Sequence, residues 1–600
     1  MTANNKKIKE RSIEILIYFN LLIFVIYLYS PALSNGYIWD DLDFYIHQQI
    51  NAKSILELFS SQLLSVSHFY RPVGTLLFFC EQSITSSPTP IISHLINILL
   101  HALNCLLLII ILRDHLKQSS QINKIIYIGS VTLFAAFHLS AIEPTVWVSA
   151  RFELFCLTMI LLTHLLATAK KVNFFTLSMM AATLLLALLS KEMALSYIVA
   201  LPFFLIQRAT TFNVKDYILD KAVIRDTIIR LAPAALATLV WFILRSNANI
   251  PTPNTGTVFT LSEHLSLIAQ SLKLYLVMLV NPALEYKPYW AFDENTLKLS
   301  VVSSLALLVI PLALTAIGFY YKNRSNLVAN AAQTILLYIV CLIPVLNLIP
   351  IFPNFFFGAA RYAYIPLFIA IIYFTQACYS SKSNLPRLTI AVSILCSIFT
   401  IISATQLINS IGHYNNQKTF WSWVIQTNGS NHPHVISNYF DALTALGEHQ
   451  EALDYFQANN KNYSYQENFQ LLYLATRYKT GESTTLDMGK LDDLLKSFKR
   501  NPKGISHLIV PALNLKAKLM VYLKPGEIDR ALETVNQALI LKVTPYVLST
   551  KAALLKLKDK DEEAHRLLNK AKLMAEDYQL EEIENSYKMI IDRFESKALR

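Results

Sequence analysis

Between residues 13 and 407 the chain carries one long apolar run after another, each near the length of a bilayer crossing, and no other feature limits its fold so strongly. A span needs about 20 mostly apolar residues, because hydrocarbon offers no hydrogen-bond partners and every backbone N–H and C=O must be satisfied within the segment. Runs at 13–31, 91–112, 125–140, 147–169, 173–190, 193–207, 228–245, 299–321, 331–350, 361–380 and 388–407 meet that need, so eleven crossings are expected. Hydrophobic residues make up 54% of the 600 and charged residues 16%, with a mean hydropathy of +0.39. Soluble domains average roughly 45–50% apolar and about 25% charged. A string of ordinary soluble domains is therefore excluded. So is a collagen-like or Gly/Pro-rich architecture, since there are 13 glycines and 22 prolines.

Loop charges give the expected sidedness. The segment 263–282 is apolar enough to span but carries Glu263, His264 and Lys273. If it stays on the outer side, the inner loops collect Lys6, Lys7, Lys9 and Arg11, then Arg113, Lys117 and Lys124, then Lys170 and Lys171, then Arg208, Lys215, Lys221 and Arg225, then Lys322 and Arg324, and finally Lys382 and Arg387. If it crossed, Lys322 and Arg324 would move outside, against the positive-inside rule. It is read as an interfacial or re-entrant helix, with the N-terminus inside and everything after about 407 outside. The net charge of +11 then reads as loop bias and not as a nucleic-acid surface. The run 13–31 lacks a clean A-x-A site after its basic start and reads as a retained signal-anchor. The six cysteines (Cys80, Cys105, Cys156, Cys341, Cys378, Cys396) lie in the apolar part without a CxxC, as buried small residues rather than disulfides or zinc ligands.

After 407 the composition turns soluble. Gly447 and Gly481 stand 34 residues apart, and Ala531 and Ala564 stand 33 apart, which is the tetratricopeptide period. Such two-helix units bury their faces by stacking and offer a concave surface to a protein partner, the alternative being plain helical hairpins.

Ionisable residues gather at the outer helix ends: Asp40 and Asp41 beyond the first run, Arg71 after His68, then His138 and Glu143, Arg151 and Glu153, Lys191 and Glu192, and Arg361 beside Tyr362. Charges at membrane depth are costly and point to function. Adjacent carboxylates suit a general base with a neighbour that orients it or holds a divalent cation, Mg or Mn. The basic groups suit a phosphate, for which Arg is the better fork. An amphiphilic phosphate with its tail in membrane lipid fits that arrangement. There is no Walker loop, HExxH, GxSxG or dinucleotide fingerprint in a meaningful context, which disfavours ATP-driven transport and protease chemistry.

Several stretches, in this order, are similar to the motifs of the transmembrane and tetratricopeptide-repeat proteins: Asn35-Gly36-Tyr37-Ile38-Trp39-Asp40-Asp41, Tyr70-Arg71-Pro72-Val73, His94-Leu95-Ile96-Asn97 with Leu100-His101, His138 to Glu143, Trp147-Val148-Ser149-Ala150-Arg151, Leu189-Ser190-Lys191-Glu192, Asn347-Leu348-Ile349-Pro350 and Arg361-Tyr362-Ala363-Tyr364-Ile365-Pro366. The resemblance runs from about 35 to 470, including the Trp421 segment, and departs from the family pattern at Leu139, Ala141 and Ala360. It implies an all-α polytopic GT-C glycosyltransferase fold over 1–407, with a first outer loop at 32–90 and a second, carrying the interfacial helix, at 246–298. An extracytoplasmic tetratricopeptide-like α-solenoid over 408–600 would follow.

By the same resemblance, a sugar such as mannose would pass from a polyprenyl phosphate to a protein hydroxyl or glycan, as in O-mannosylation, by inverting displacement. Asp40 would be the general base and Asp41 its partner. From charge and side, Arg71, Lys191 and Arg361 are the candidates for the donor phosphate, with Glu143 and Arg151 lining the site. The expected location is the inner membrane with the site facing the periplasm, or the endoplasmic-reticulum lumen in a eukaryote. Two competing readings are a non-catalytic scaffold whose repeats recruit envelope partners and a flippase; the latter needs charged residues of this set reaching the midplane or the inner side, and the sequence places them at the outer rim instead.

Overall fold

Helix accounts for nearly all of the computed structural model, and the only strands among the described residues are Trp290–Ala291 and Phe356–Gly358, paired antiparallel. The described residues are 3–45, 55–60, 69–85, 89–117, 119–210, 221–248, 250, 260–291, 301–321, 326–348, 356–379, 386–428, 433–463, 467–500, 502–575 and 577–598. His68, Lys215, Lys322, Arg324, Ile349, Pro350 and Lys382, named above, fall outside them. The chain divides into two units, Met1–Ser430 and Asn431–Arg600.

In the first unit, eight helices among the described residues are long and apolar enough to cross a membrane: Lys9–Ser34, Pro90–His115, Val148–Ala167, Lys221–Asn247, Leu261–Val280, Leu327–Val345, Ala360–Tyr379 and Pro386–Tyr414. This is the body of a membrane protein. Three more expected spans appear as shorter apolar helices, Phe174–Ser190, Ala194–Arg208 and Val302–Leu314.

The expected run 125–140 does not continue straight. Helices Gln121–Phe137 and Leu139–Val146 meet at a bend of 61° and would count as a ninth span if taken together. His138 makes the break: its backbone is extended (ψ 146°), and its ring accepts the Ser140 N–H to cap the second helix. The helix Leu261–Val280, expected at the interface, is long enough to cross. Glu263 forms a capping box with Thr260, and His264 reaches the Asn347 carbonyl at 2.9 Å, so both polar groups have local partners in the first turn. Lys273, exposed further along, is the residue hydrocarbon would least tolerate.

The boundary expected at 407 lies further on. The helix Pro386–Ile411 passes it, and 412–428 folds back on the segment 35–39. Gly36 donates its N–H to the Asn415 carbonyl at 2.8 Å, an approach so close that a Cβ on Gly36 would meet that oxygen at 3.0 Å. Phe420 and Trp421 pack on Trp39, with ring centroids 6.0 and 5.5 Å away.

The second unit is a succession of helices, from Pro433–Ala445 to Asp577–Ala598. Gly447 and Gly481 have φ of +78° and +83°, the left-handed turns that favour glycine. Ala531 and Ala564 are buried to 0% and 1% exposure, small enough to let neighbouring helices approach.

Candidate functional site

Asp40 and Asp41 open the short helix Asp40–Tyr45, behind Trp39, whose φ of 50° is left-handed. That conformation costs a non-glycine residue of order 1–3 kcal/mol and must be held by its surroundings. Its ring partners and the hydrogen bonds of Asp41 hold it. Trp39 stacks on Trp147, with centroids 5.0 Å apart and rings 14° from parallel. Asp41, fully buried, accepts the Ile38 N–H at 3.1 Å on one oxygen and the Ser149 N–H at 2.7 Å, together with the Ser149 hydroxyl, on the other. Burial pushes the Asp41 carboxyl up to about 7 despite those hydrogen bonds. Asp41 thus fastens the loop, while its half-buried neighbour Asp40 acts electrostatically on Arg361.

Arg361 sits at the head of the helix Tyr364–Tyr379, in the preceding turn Ala360–Ala363. It pairs with Glu143 through Nη1, lies 3.5 Å from Glu153 through Nε, and covers the rings of Trp147 and Tyr362 at 5.1 and 4.8 Å. Glu153 also takes the Lys191 ammonium, so one carboxylate joins two cations. Burial holds Lys191 below the ordinary lysine range, with Glu153 opposing it. Arg71 lies next to Lys191 electrostatically and grips Glu192 with Nε at 3.1 Å and Nη2 at 2.8 Å. Among the described residues its Nη1 makes no hydrogen bond. Burial pushes Glu192 upward, yet the Arg71 guanidinium keeps it below the usual carboxylate range.

The structure therefore brings Arg71, Lys191 and Arg361 together with Glu143, Glu153 and Glu192, and sets Asp40 at their edge. The six charges cancel when all are ionised. Oε2 of Glu143 is buried and has no hydrogen-bond partner among the described residues. Glu153 and Glu192, the partners of the predicted cations, were visible beside Arg151 and Lys191, but only the fold assigns them to Lys191, Arg361 and Arg71.

Arg151 belongs to a different set. It is 1% exposed, and its donors go to Glu81 at 2.5 Å, to the Asn97 side-chain oxygen at 2.8 Å and to the Ser93 carbonyl at 3.0 Å. It joins three helices instead of lining the cluster as expected, because Glu81, from the helix Pro72–Thr85, meets it first. The motif polars are likewise staples: Asn97 donates to the Trp147 carbonyl at 3.0 Å, and His101 bridges the Ala136 carbonyl and the Tyr364 hydroxyl. His138 spends one nitrogen on Ser140 and the other on the Met278 carbonyl. Among the described residues no three His, Cys, Asp or Glu side chains come together closely enough to hold a metal ion.

No family model, no curated protein and no solved structure matches this chain.

Proposed function

We propose that the protein is a membrane glycosyltransferase that moves a hexose from a polyprenyl phosphate to an extracytoplasmic hydroxyl, with Asp40 as general base. One observation carries this reading: three cations, Arg71, Lys191 and Arg361, gather at the ends of apolar helices, locked by carboxylates and with Asp40 beside them. A lipid phosphate can reach such a place with its tail still in hydrocarbon. Cations fixed before substrate arrives stabilise a leaving phosphate without reorganising during the reaction.

The acceptor oxygen attacks C1 of the sugar and gives its proton to Asp40. The C1–O bond to phosphate breaks with its electron pair passing to the phosphate oxygen, and the anomeric carbon inverts. Arg71 offers the phosphate its unused Nη1, and Arg361 and Lys191 supply charge from behind. The second unit is read as tetratricopeptide-like repeats that present the acceptor or recruit a partner protein, and the positive-inside bias of the loops supports an extracytoplasmic location for it.

The test is transfer of labelled hexose from synthetic polyprenyl-phosphate hexose by purified protein. Asp40→Asn is expected to lower the rate by about 10²–10⁴, the range for a lost general base, with an unchanged melting temperature. Wild-type rates in that variant would refute the assignment.

A further inference from the structure

The helices that carry the cation cluster also carry charge at their far ends, and there the charges do not cancel. The helix Arg151–Ala167 leaves the cluster beside Glu153 and ends about 21 Å further on, at about 1.5 Å per residue. Two arginines from other helices cap its end. Arg230, from Lys221–Asn247, donates Nη1 to the Ala167 and Ala169 carbonyls at 2.8 and 2.9 Å, and Arg208, from Ala194–Thr210, donates Nη2 to the Ala169 carbonyl at 3.1 Å. Lys170 and Lys171, both exposed, follow directly, so four cations converge on 169–171.

The carboxylates nearby are already engaged. Asp226 takes the buried Arg230 through Nε at 2.8 Å, and Asp114, which acts electrostatically on Arg208, pairs with Lys117. Among the described residues Lys170, Lys171 and the exposed Arg208 have no ion-pair partner, and Nε and Nη1 of Arg208 make no hydrogen bond. Beside them Phe174 and Phe175, 86% and 68% exposed, open the helix Phe174–Ser190, which runs back to Lys191 in the cluster. The rings thus stand on the membrane side of the lysines.

We propose that this corner binds one anionic phospholipid of the surrounding bilayer, with its phosphate among Lys170, Lys171 and Arg208 and its acyl chains over Phe174 and Phe175; the proposal is independent of the glycosyltransferase reading. Three uncompensated cations call for an anion, and Arg208 presents the two-donor fork that suits a phosphate. The exposed rings just deeper suit a phosphate that carries chains and not a free ion. A basic corner between helix ends is where an anionic headgroup settles. Loop bias alone would scatter such charges, whereas here arginines from two separate helices meet on one carbonyl beside the lysine pair. The lipid would tie together the ends of helices whose other ends lead to Glu153 and Lys191.

The experiment titrates the full chain, in neutral detergent micelles, with fluorescent phosphatidylglycerol. One saturable site is expected, competed by unlabelled phosphatidylglycerol. Phosphatidylcholine, which has the phosphate without the net charge, and inorganic phosphate, which has no chains, should not compete. Attraction to an anionic lipid is worth about fivefold in affinity per Lys or Arg, so Lys170→Gln/Lys171→Gln should weaken binding about 25-fold. Lys170→Arg/Lys171→Arg and Lys117→Gln should leave it unchanged, and Phe174→Ser/Phe175→Ser should weaken it with every charge in place. All these side chains but that of Arg208 are substituted at exposed positions, so the melting temperature in neutral micelles should not move. Equal weakening by Lys117→Gln and the lysine pair, or competition by phosphatidylcholine, overturns the site as diffuse attraction. Competition by inorganic phosphate, or full binding by the phenylalanine variant, overturns the lipid as its occupant.

Discussion

The Arg151–Glu81 pair offers a quantitative test of whether a charge predicted for the site is holding the scaffold. The two side chains are 1% and 3% exposed, with 2.5 Å between Nη1 and Oε2, and the guanidinium also lies 4.7 Å above the Phe78 ring. Arg151→Met leaves the Glu81 carboxylate buried without its guanidinium and strips the Asn97 oxygen of its donor. Breaking one side of a buried pair costs about 3–5 kcal/mol. In the double variant Arg151→Met/Glu81→Leu no charge remains buried. The residual loss is the unpaired Asn97 side-chain oxygen, about 1–3 kcal/mol.

The double variant should thus be more stable than either single by about 2 kcal/mol, a strong coupling between contacting groups. Denaturant unfolding in mixed micelles followed by tryptophan fluorescence reads all four corners of the cycle. Transfer activity of the double variant should stay within a few-fold of wild type. Two results refute the reasoning: additive losses, or a stable double variant that has lost activity, which would return Arg151 to substrate binding.

Two further outcomes follow from the same geometry. Because Asp41 is raised to about 7 in the fold, above the roughly 3.9 of an unfolded chain, folding favours its protonated form. Its contribution is complete below about pH 4 and is lost as pH rises through about 7. Hydrogen exchange of 36–45, corrected for intrinsic rate, should therefore speed up between pH 5 and 8 and should lose that slope in Asp41→Asn; an opposite slope would contradict the assignment. At Gly74 a Cβ would stand 2.0 Å from Cδ1 of Phe152, whose ring also lies under Arg71. Gly74→Ala should cost about 1–3 kcal/mol in the same unfolding assay, and an unchanged midpoint would mean that Phe152 can swing aside.

Individual charges at helix ends were legible in the sequence; their pairings were not. Lys191, Glu192 and Arg361 stand out because each interrupts or borders an apolar run. That Glu153 joins Lys191 to Arg361, while its near neighbour Arg151 leaves for Glu81, is settled by contacts across 38 to 208 residues of chain. Hydropathy located the helices but missed the break at His138, because the apolar pattern runs through Leu139–Val146 without a pause. Gly447 and Gly481 were readable as turns, since few other residues accept a positive φ. The end of the first unit was misread at 407, because 412–428 is polar enough to pass for a soluble tail until Phe420 and Trp421 are seen against Trp39.

That last contact has a consequence for biosynthesis. Asn35, Gly36 and Trp39 leave the ribosome early, yet the first two donate hydrogen bonds to the Ile411 and Asn415 carbonyls and the third meets the ring of Trp421. At about 5–20 residues per second, roughly 20–75 s separate the two groups. The loop carrying Asp40 is thus without its cover throughout insertion and acquires it only as the first unit is completed. A nascent chain stalled before Trp421 is expected to be inserted with the loop around Asp40 open to protease, and a half-built copy would differ from a finished one at that loop first.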